Sequence, residues 1–269
     1  MEVGAKLYGD ARGYEIDKMN RPLAIIPVRN EADILPWVVK HLVEQGCDIH
    51  LIDNWSTDWS SIKLPWDSQY DQRIRSEMWP SKGPDSYWQW TEMLQRIEEI
   101  AQAHDGWVIF NDADEIRRSP RTGETIADGL ARVALRGYNA IAFRLYEFWP
   151  TDNSYIGDPE SHFTHYRDDS LDSRLPHIKA WLSKGQRVDL HTHGGHQAMF
   201  MGRSIALEQW VLKHYPIRTQ EQGARKLADR RQRYNQSELN LNWHAQYTGL
   251  NPQAVIKNPN ELSLYSNAD

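Results

Sequence analysis

The chain has 269 residues, enough for one large domain with a sizeable core, and carries a formal net charge of −6 with 25% charged residues. That balance argues against a broad surface for nucleic acid or anionic membrane; the basic run at residues 224–233 (ARKLADRRQR) reads as the solvated face of a helix, with at most a phosphate-facing arginine. A single cysteine, Cys47, excludes an internal disulfide and fits a reducing compartment. No apolar run approaches a membrane span and the first residues lack an apolar signal core, so the expected location is the cytoplasm.

Residues 1–21 are set apart as an N-terminal extension. Leu23 to Val28 is too short for a helix and rich in β-branched residues, which predicts a buried strand. Ile34, Leu35, Val38, Val39, Leu42 and Val43 then form one helical stripe. Pro36 is tolerated only in a first turn, so the helix is expected to begin near Asp33, and Gly46 ends it. DIHLID, residues 48–53, follows as a second strand. Strand, helix, strand is a βαβ unit, hence a parallel sheet with ligands expected beyond the strand C-termini. Further elements are a helix over 85–103, a strand over 107–111, a helix over 125–135, a strand over 138–149 and a last helix over 219–234. Residues 150–186 are polar and rich in Pro and Asp, so loops with short strands are expected there, and an irregular tail from Asn251.

The strand at 107–111 ends abruptly in Asp112, Asp114 and Glu115. Strand alternation would point Asp112 and Asp114 the same way, and two such carboxylates repel unless a cation compensates. Oxygen ligands suit Mg²⁺ or Mn²⁺; the plainer alternative is a solvated turn partnered by Arg117 and Arg118. The first βα turn, Pro27-Val28-Arg29-Asn30-Glu31, lies where a ligand would sit. The second strand ends at Asp53, beside a turn of Asn54, Ser56, Thr57 and Asp58 rich in side-chain to backbone bonds. There is neither Gly-x-Gly-x-x-Gly nor a P-loop lysine, so neither a dinucleotide fold nor a P-loop is supported.

Together these stretches resemble a family 2-type glycosyltransferase. IIPVRNEADILPWVVKHLVEQGCDIHLIDNWSTDWS is similar to the family's opening, with Asn-Glu after the first strand and Asp-Asn-x-Ser-Thr-Asp after the second. Asp112-Ala113-Asp114 in WVIFNDADEI is similar to its Asp-x-Asp element, and GGHQAMFMGR and HYPIRTQEQGARK resemble the C-terminal part of a bacterial and phage branch. The resemblance implies a GT-A fold (a Rossmann-like mixed sheet flanked by helices) over residues 22–235, with 236–269 as a C-terminal extension. It also implies a nucleotide-sugar donor, with UDP-sugar favoured, and Mn²⁺ or Mg²⁺. The activity implied is transfer of a hexosyl or related sugar to an acceptor hydroxyl, with inversion.

Carried over residue by residue, the resemblance gives Pro27, Val28, Arg29, Asn30, Glu31, Asp53 and Asp112 to the nucleotide, with Arg29 as a phosphate contact. It gives Asp114, Asp112 and the late His214 to the metal. The family's Glu-Asp pair, which supplies the base, is missing here. Candidates for the base are Glu115, Asp168, Asp169, Asp172, His191, His193 and His196, with His196 and Glu115 preferred. The acceptor (glycan, small molecule, protein or, less readily, modified DNA) is not legible, although Trp88, Trp90, Trp149 and Tyr155 would make an aromatic platform. Two other classes compete: a zinc-dependent hydrolase built on His191, His193 and His196, and an inactive sugar-nucleotide-binding module.

Overall fold

The structure, a computed structural model, describes residues 20–58, 60, 72–86, 89–167, 176–233, 235–241, 243 and 249–266. Its first half is parallel. Strands β1 (Asn20–Val28), β2 (Asp48–Asp53), β3 (Ile74–Met78) and β4 (Asp105–Phe110) lie in the order β3-β2-β1-β4. Period-two alternation sends Ala24, Ile26 and Val28 of β1 into one core and Ile25 into another; on β4, Trp107 and Ile109 part from Val108 and Phe110 in the same way. Both faces are covered, which is why these strands read as continuous apolar runs. Helices α1 (Leu35–Glu44) and α3 (Ile126–Leu135) pack on the first face, and α2 (Trp90–Ala103) on the second.

The helix ends follow local chemistry. Pro36 sits in the first turn of α1, which starts two residues after the expected Asp33. Gly46, at φ 91°, turns the chain out of it. Thr125 caps α3 by accepting from the Asp128 amide at 3.1 Å. The start of α2 falls at Trp90 rather than near residue 85.

The second half is mixed. Strand β5 (Glu115–Arg118) follows β4 after a short turn. Strand β6 (Ala140–Phe148), the one-turn helix α4 (Pro159–His162) and β7 (His165–Arg167) follow in turn. Strand β8 (His177–Lys184) is inserted antiparallel between β4 and β6. Strand β9 (Trp210–His214) pairs antiparallel with β5 and parallel with β6. Helices α5 (Gln220–Arg233) and α6 (Gln236–Asn240) follow, and β10 (Ser263–Leu264) closes the edge against β7. The architecture is α/β, a mixed central sheet flanked by helices, as the sequence implies.

Two expectations are corrected. Residues 150–186 are not merely loops with short strands, because β8 is an eight-residue strand buried in the middle of the sheet. The tail is not irregular throughout. Val255 is 1% exposed against Trp149, Ile217 and Leu227, the Lys257 amide donates to the Pro150 carbonyl at 2.9 Å, and β10 extends the sheet. The proposed N-terminal extension lies outside the described residues up to residue 19, while Asn20 and Arg21 already belong to β1.

Candidate functional site

The C-terminal ends of β1, β2 and β4 meet at one edge of the sheet, where parallel strands expose ligand-binding loops. Pro27 and Val28 are the last residues of β1, in register with Ile52 and Asp53. Beyond them the loops are stitched by short polar side chains. Asn30, at φ 55°, accepts from the Thr57 amide at 2.7 Å, and the Asn30 amide donates to Ser56 Oγ at 3.1 Å. Asp53, 2% exposed, accepts from the Ser56 amide at 2.8 Å, and Asp58 accepts from the Ala32 amide at 3.0 Å. The DNWSTD turn thus satisfies backbone donors of two loops at once.

Arg29 is engaged too. Its guanidinium donates to the carbonyls of Asn54 at 2.7 Å and Trp55 at 2.8 Å, and pairs with Asp229 of α5 at 3.1 Å. The expected phosphate contact is here a tie between the loops and α5.

Asp112 and Asp114 do not share a face by strand alternation. Residues 111–114 form a turn, closed by the Glu115 amide donating to the Asp112 carbonyl at 3.1 Å, and the two carboxylates find different partners. Asp112 accepts from Lys179 Nζ at 2.8 Å. Lys179, 1% exposed on β8, also reaches Glu115 at 2.9 Å and lies over the Phe110 ring at 4.6 Å. Glu115 further accepts from Arg117 at 2.7 Å and from the Asp112 amide at 3.0 Å. Burial pushes its carboxyl up, but Lys179 and Arg117 outweigh that and hold it well below the usual carboxylate range. Glu115 is thus held as an anion by Lys179 and Arg117, an arrangement that favours His196 of the two preferred candidates for the base. Of the two arginines expected beside the acidic turn, Arg117 takes part, while Arg118 turns away to Glu160.

Asp114, 4% exposed, is the centre of a second cluster. Its carboxylate accepts from Lys226 of α5 at 2.7 Å, with His214 Nε2 at 3.5 Å and Arg218 at 3.9 Å. His214 ends β9, and its Nδ1 stands 3.8 Å from Glu147 of β6. Burial pulls the imidazole down, but Asp114 and Glu147 outweigh it and raise His214 to about 10, so its ring is charged beside Asp114. Burial likewise raises Asp114, and Lys226 and His214 more than offset it, leaving the carboxyl well below its ordinary range. Lys226 also contacts Glu31 at 2.7 Å. Arg218, fully buried, bonds Asp33 at 2.7 and 2.8 Å, the Tyr215 carbonyl at 2.9 Å, and Glu31. Glu31, expected at the nucleotide, is in this state tied into ion pairs.

A hard divalent cation binds through one or two carboxylates and completes its shell with water and substrate phosphate oxygens. Asp114 offers such a carboxylate, and His214 a ring nitrogen 3.5 Å from it at the neighbouring strand end; a cation entering there would have to displace the ring proton and the Lys226 ammonium. Asp112, held by Lys179, does not join them. Among the described residues no three His, Cys, Asp or Glu side chains gather into a group able to hold a metal by themselves. That observation bears on the zinc reading directly. His191 is paired with Glu98 at 3.6 Å, His193 is exposed, and the exposed His196 sets its ring 5.1 Å from His177.

His196 nevertheless sits at the same edge of the sheet, since its carbonyl accepts from the Ile178 amide at 3.0 Å, one residue before Lys179. Asp168, Asp169, Asp172 and Trp88 lie outside the described residues. The aromatic platform is not formed by its described members. Trp149 is buried and donates to Glu147 at 2.9 Å, and Tyr155 is buried and donates to the Gly157 carbonyl at 2.7 Å. Trp90, half-buried, donates to the Gly194 carbonyl at 3.0 Å.

No family model matches the chain, and no curated protein matches it. Among solved structures it is similar to the mannosyltransferase PcManGT from Pyrobaculum calidifontis, determined in complex with GDP-Man and Mn²⁺. The two are 12% identical with a TM-score of 0.45, over 80% of this chain and 65% of the neighbour's length. Among the described residues no helix is long and apolar enough to cross a membrane.

Proposed function

We propose that the chain is a GT-A glycosyltransferase that moves a sugar from a nucleoside-diphosphate donor to an acceptor hydroxyl with inversion. The observation that carries this reading is the pairing of Asp114 with His214 at 3.5 Å, at the sheet edge where the loops after β1 and β2 also end. These are the residues that the Asp-x-Asp and late-histidine resemblance singles out, brought together from positions far apart in the chain. UDP-sugar stays the first donor to test on that resemblance, and the acceptor class stays open.

Asp114 and His214 would hold Mn²⁺ or Mg²⁺, which as a Lewis acid offsets the charge that develops on the leaving diphosphate. The chain's own part is to position and to accept a proton. Lys179 fixes the Asp112 turn, so that the Asp112 carboxylate, 33% exposed, is the acidic group open to a ribose hydroxyl. The loop mesh around Asn30 and Asp53 gives the nucleoside a rigid floor. His196, exposed at the rim, takes the acceptor hydroxyl's proton as the anomeric carbon is attacked.

The test is thermal stabilisation by UDP, GDP, CDP, ADP and dTDP, with and without Mn²⁺, on the parent and on Asp114→Asn, followed by turnover of the matching nucleotide-sugar. A ligand that binds the folded state alone raises the melting temperature by mass action. One nucleotide giving a Mn²⁺-dependent shift that Asp114→Asn loses, together with donor turnover, is the expected result. Binding without turnover would make the chain an inactive module. No shift for any nucleotide would overturn the reading.

A further inference from the structure

Lys226 stands out from the other cations around Asp114. Its Nζ lies 2.7 Å from Glu31 Oε1 and 2.7 Å from Asp114 Oδ2, so the ammonium sits between the chain just beyond β1 and the chain just beyond β4. Those strands are hydrogen-bonded parallel neighbours, and the space past their C-terminal ends is where such sheets receive ligands. A positive charge is already stored there, held by two carboxylates from different loops.

The neighbouring cation is built otherwise. Arg218 is fully buried, grips Asp33 with two bonds, reaches Glu31 and donates to the Tyr215 carbonyl. A planar guanidinium making four bonds to three partners does not leave without unmaking the cluster. Lys226 makes single contacts at the end of a flexible four-carbon stem, with its side chain 8% exposed. Its root is fixed. α5 is tied to the β1 loop through Asp229 and Arg29, and packs so closely at Gly223 that an added Cβ would meet Ile217 at 2.8 Å and Val255 at 3.0 Å. The ammonium can therefore turn while its helix stays in place.

Charge supplies the direction of that turn. Glu31, Asp33 and Asp114 crowd one small volume, and an arriving diphosphate brings more negative charge to it. A charge-assisted bond from a lysine to phosphate is stronger than a neutral one, and Arg218 remains behind to hold Glu31.

We propose that Lys226 is a diphosphate-binding residue, stored between Glu31 and Asp114 until a nucleoside diphosphate enters and then turning onto its phosphate oxygens. The proposal rests on the transferase reading, and its test separates the two. The nucleotide that stabilises the parent in the presence of Mn²⁺ is titrated against Lys226→Met, and the concentration giving half the maximal thermal shift is compared. That concentration is expected to rise about tenfold or more, as loss of a hydrogen bond to a charged group does. A purely structural lysine would lower the nucleotide-free melting temperature and leave this concentration unchanged, and that outcome overturns the proposal while the transferase reading stands. A parent that no nucleotide stabilises overturns both. Should Lys226→Met fail to fold, Glu31→Gln is compared with Glu31→Gln/Lys226→Met, which removes one charge of each sign. Equal half-maximal concentrations in that pair overturn the proposal, and a tenfold rise in the double variant supports it.

Discussion

Lys179 shows how a residue's chemistry is set by what it is buried with. At 1% exposure it bridges Asp112 and Glu115, and removing one member of a buried pair strands the others. Lys179→Met is therefore expected to cost about 3–5 kcal/mol of unfolding free energy, read by urea denaturation at neutral pH. A loss well below 1 kcal/mol would show that Glu115 is carried by Arg117 alone. At this scale the sequence is legible for one sign of charge and not for the other. Asp114 is legible as part of an acidic cluster that closes an apolar strand, and His214 through the family resemblance alone. Lys179 and Lys226 are not legible, the first because it falls in a segment read as loops and the second because it falls in the basic run 224–233 read as a solvated helix face, and their partners lie 67 and 112 residues away in sequence. The pairing of Glu115 with Lys179 is equally invisible in WVIFNDADEI.

Among the elements, the turn carrying His196 is held by its glycines. The Gly195 amide donates to the Leu190 carbonyl at 2.8 Å, its φ is 91°, and a Cβ there would meet Phe110 at 2.8 Å and Leu94 at 3.1 Å. Gly195→Ala meets backbone strain of about 1–3 kcal/mol before the clash is counted. The expected outcome is a melting temperature several degrees lower, together with weaker turnover as His196 shifts; an unchanged melting temperature would mean that the turn relaxes freely. Helices α1, α2 and α3 are legible through one helical stripe each, as Leu35, Val38, Val39 and Leu42 form on α1, and β1, β2 and β4 through short apolar runs; the parallel edge strand β3, with only Ile74 buried, gives no such signal. β8 is not legible either, because Lys179 interrupts the apolar run His177–Lys184 at a position that only the buried carboxylates of β5 and its turn make tolerable. β5 escapes notice as a short strand paired only with β9, and β9 as a five-residue strand whose partners, β5 and β6, lie far away in sequence.

On the scale of the whole molecule, ion pairs reinforce a β5–β9 ribbon that is already hydrogen-bonded to β6 and buries Ile116, Trp210 and Leu212 in the first core. Glu160 of α4 binds Arg118 of β5 at 3.0 Å and Lys213 of β9 at 2.8 Å. Burial raises its carboxyl, yet Arg118 and Lys213 bring it down to about 2 from an ordinary 4.5. A carboxyl depressed on folding contributes fully above its unfolded value and loses that contribution as pH falls toward the folded one. Glu160→Gln should thus be less stable than the parent at neutral pH and converge with it between pH 4.5 and about 2, measured by denaturant titration across that range. A gap that persists into acid would mean that the glutamate acts through packing.

The segment 249–266 has a consequence of its own. Val255 backs onto Ile217 and Leu227, the Pro252 carbonyl accepts from Gln220 at 2.6 Å, and β10 seals the edge of β7. These residues leave the ribosome after everything they brace. The parallel half can thus form during translation, while α5, with Arg218 just before it and Lys226 on it, lacks its outer support until the chain has emerged past residue 264. The charge cluster accordingly gains its full bracing only once residues 249–264 have joined the fold.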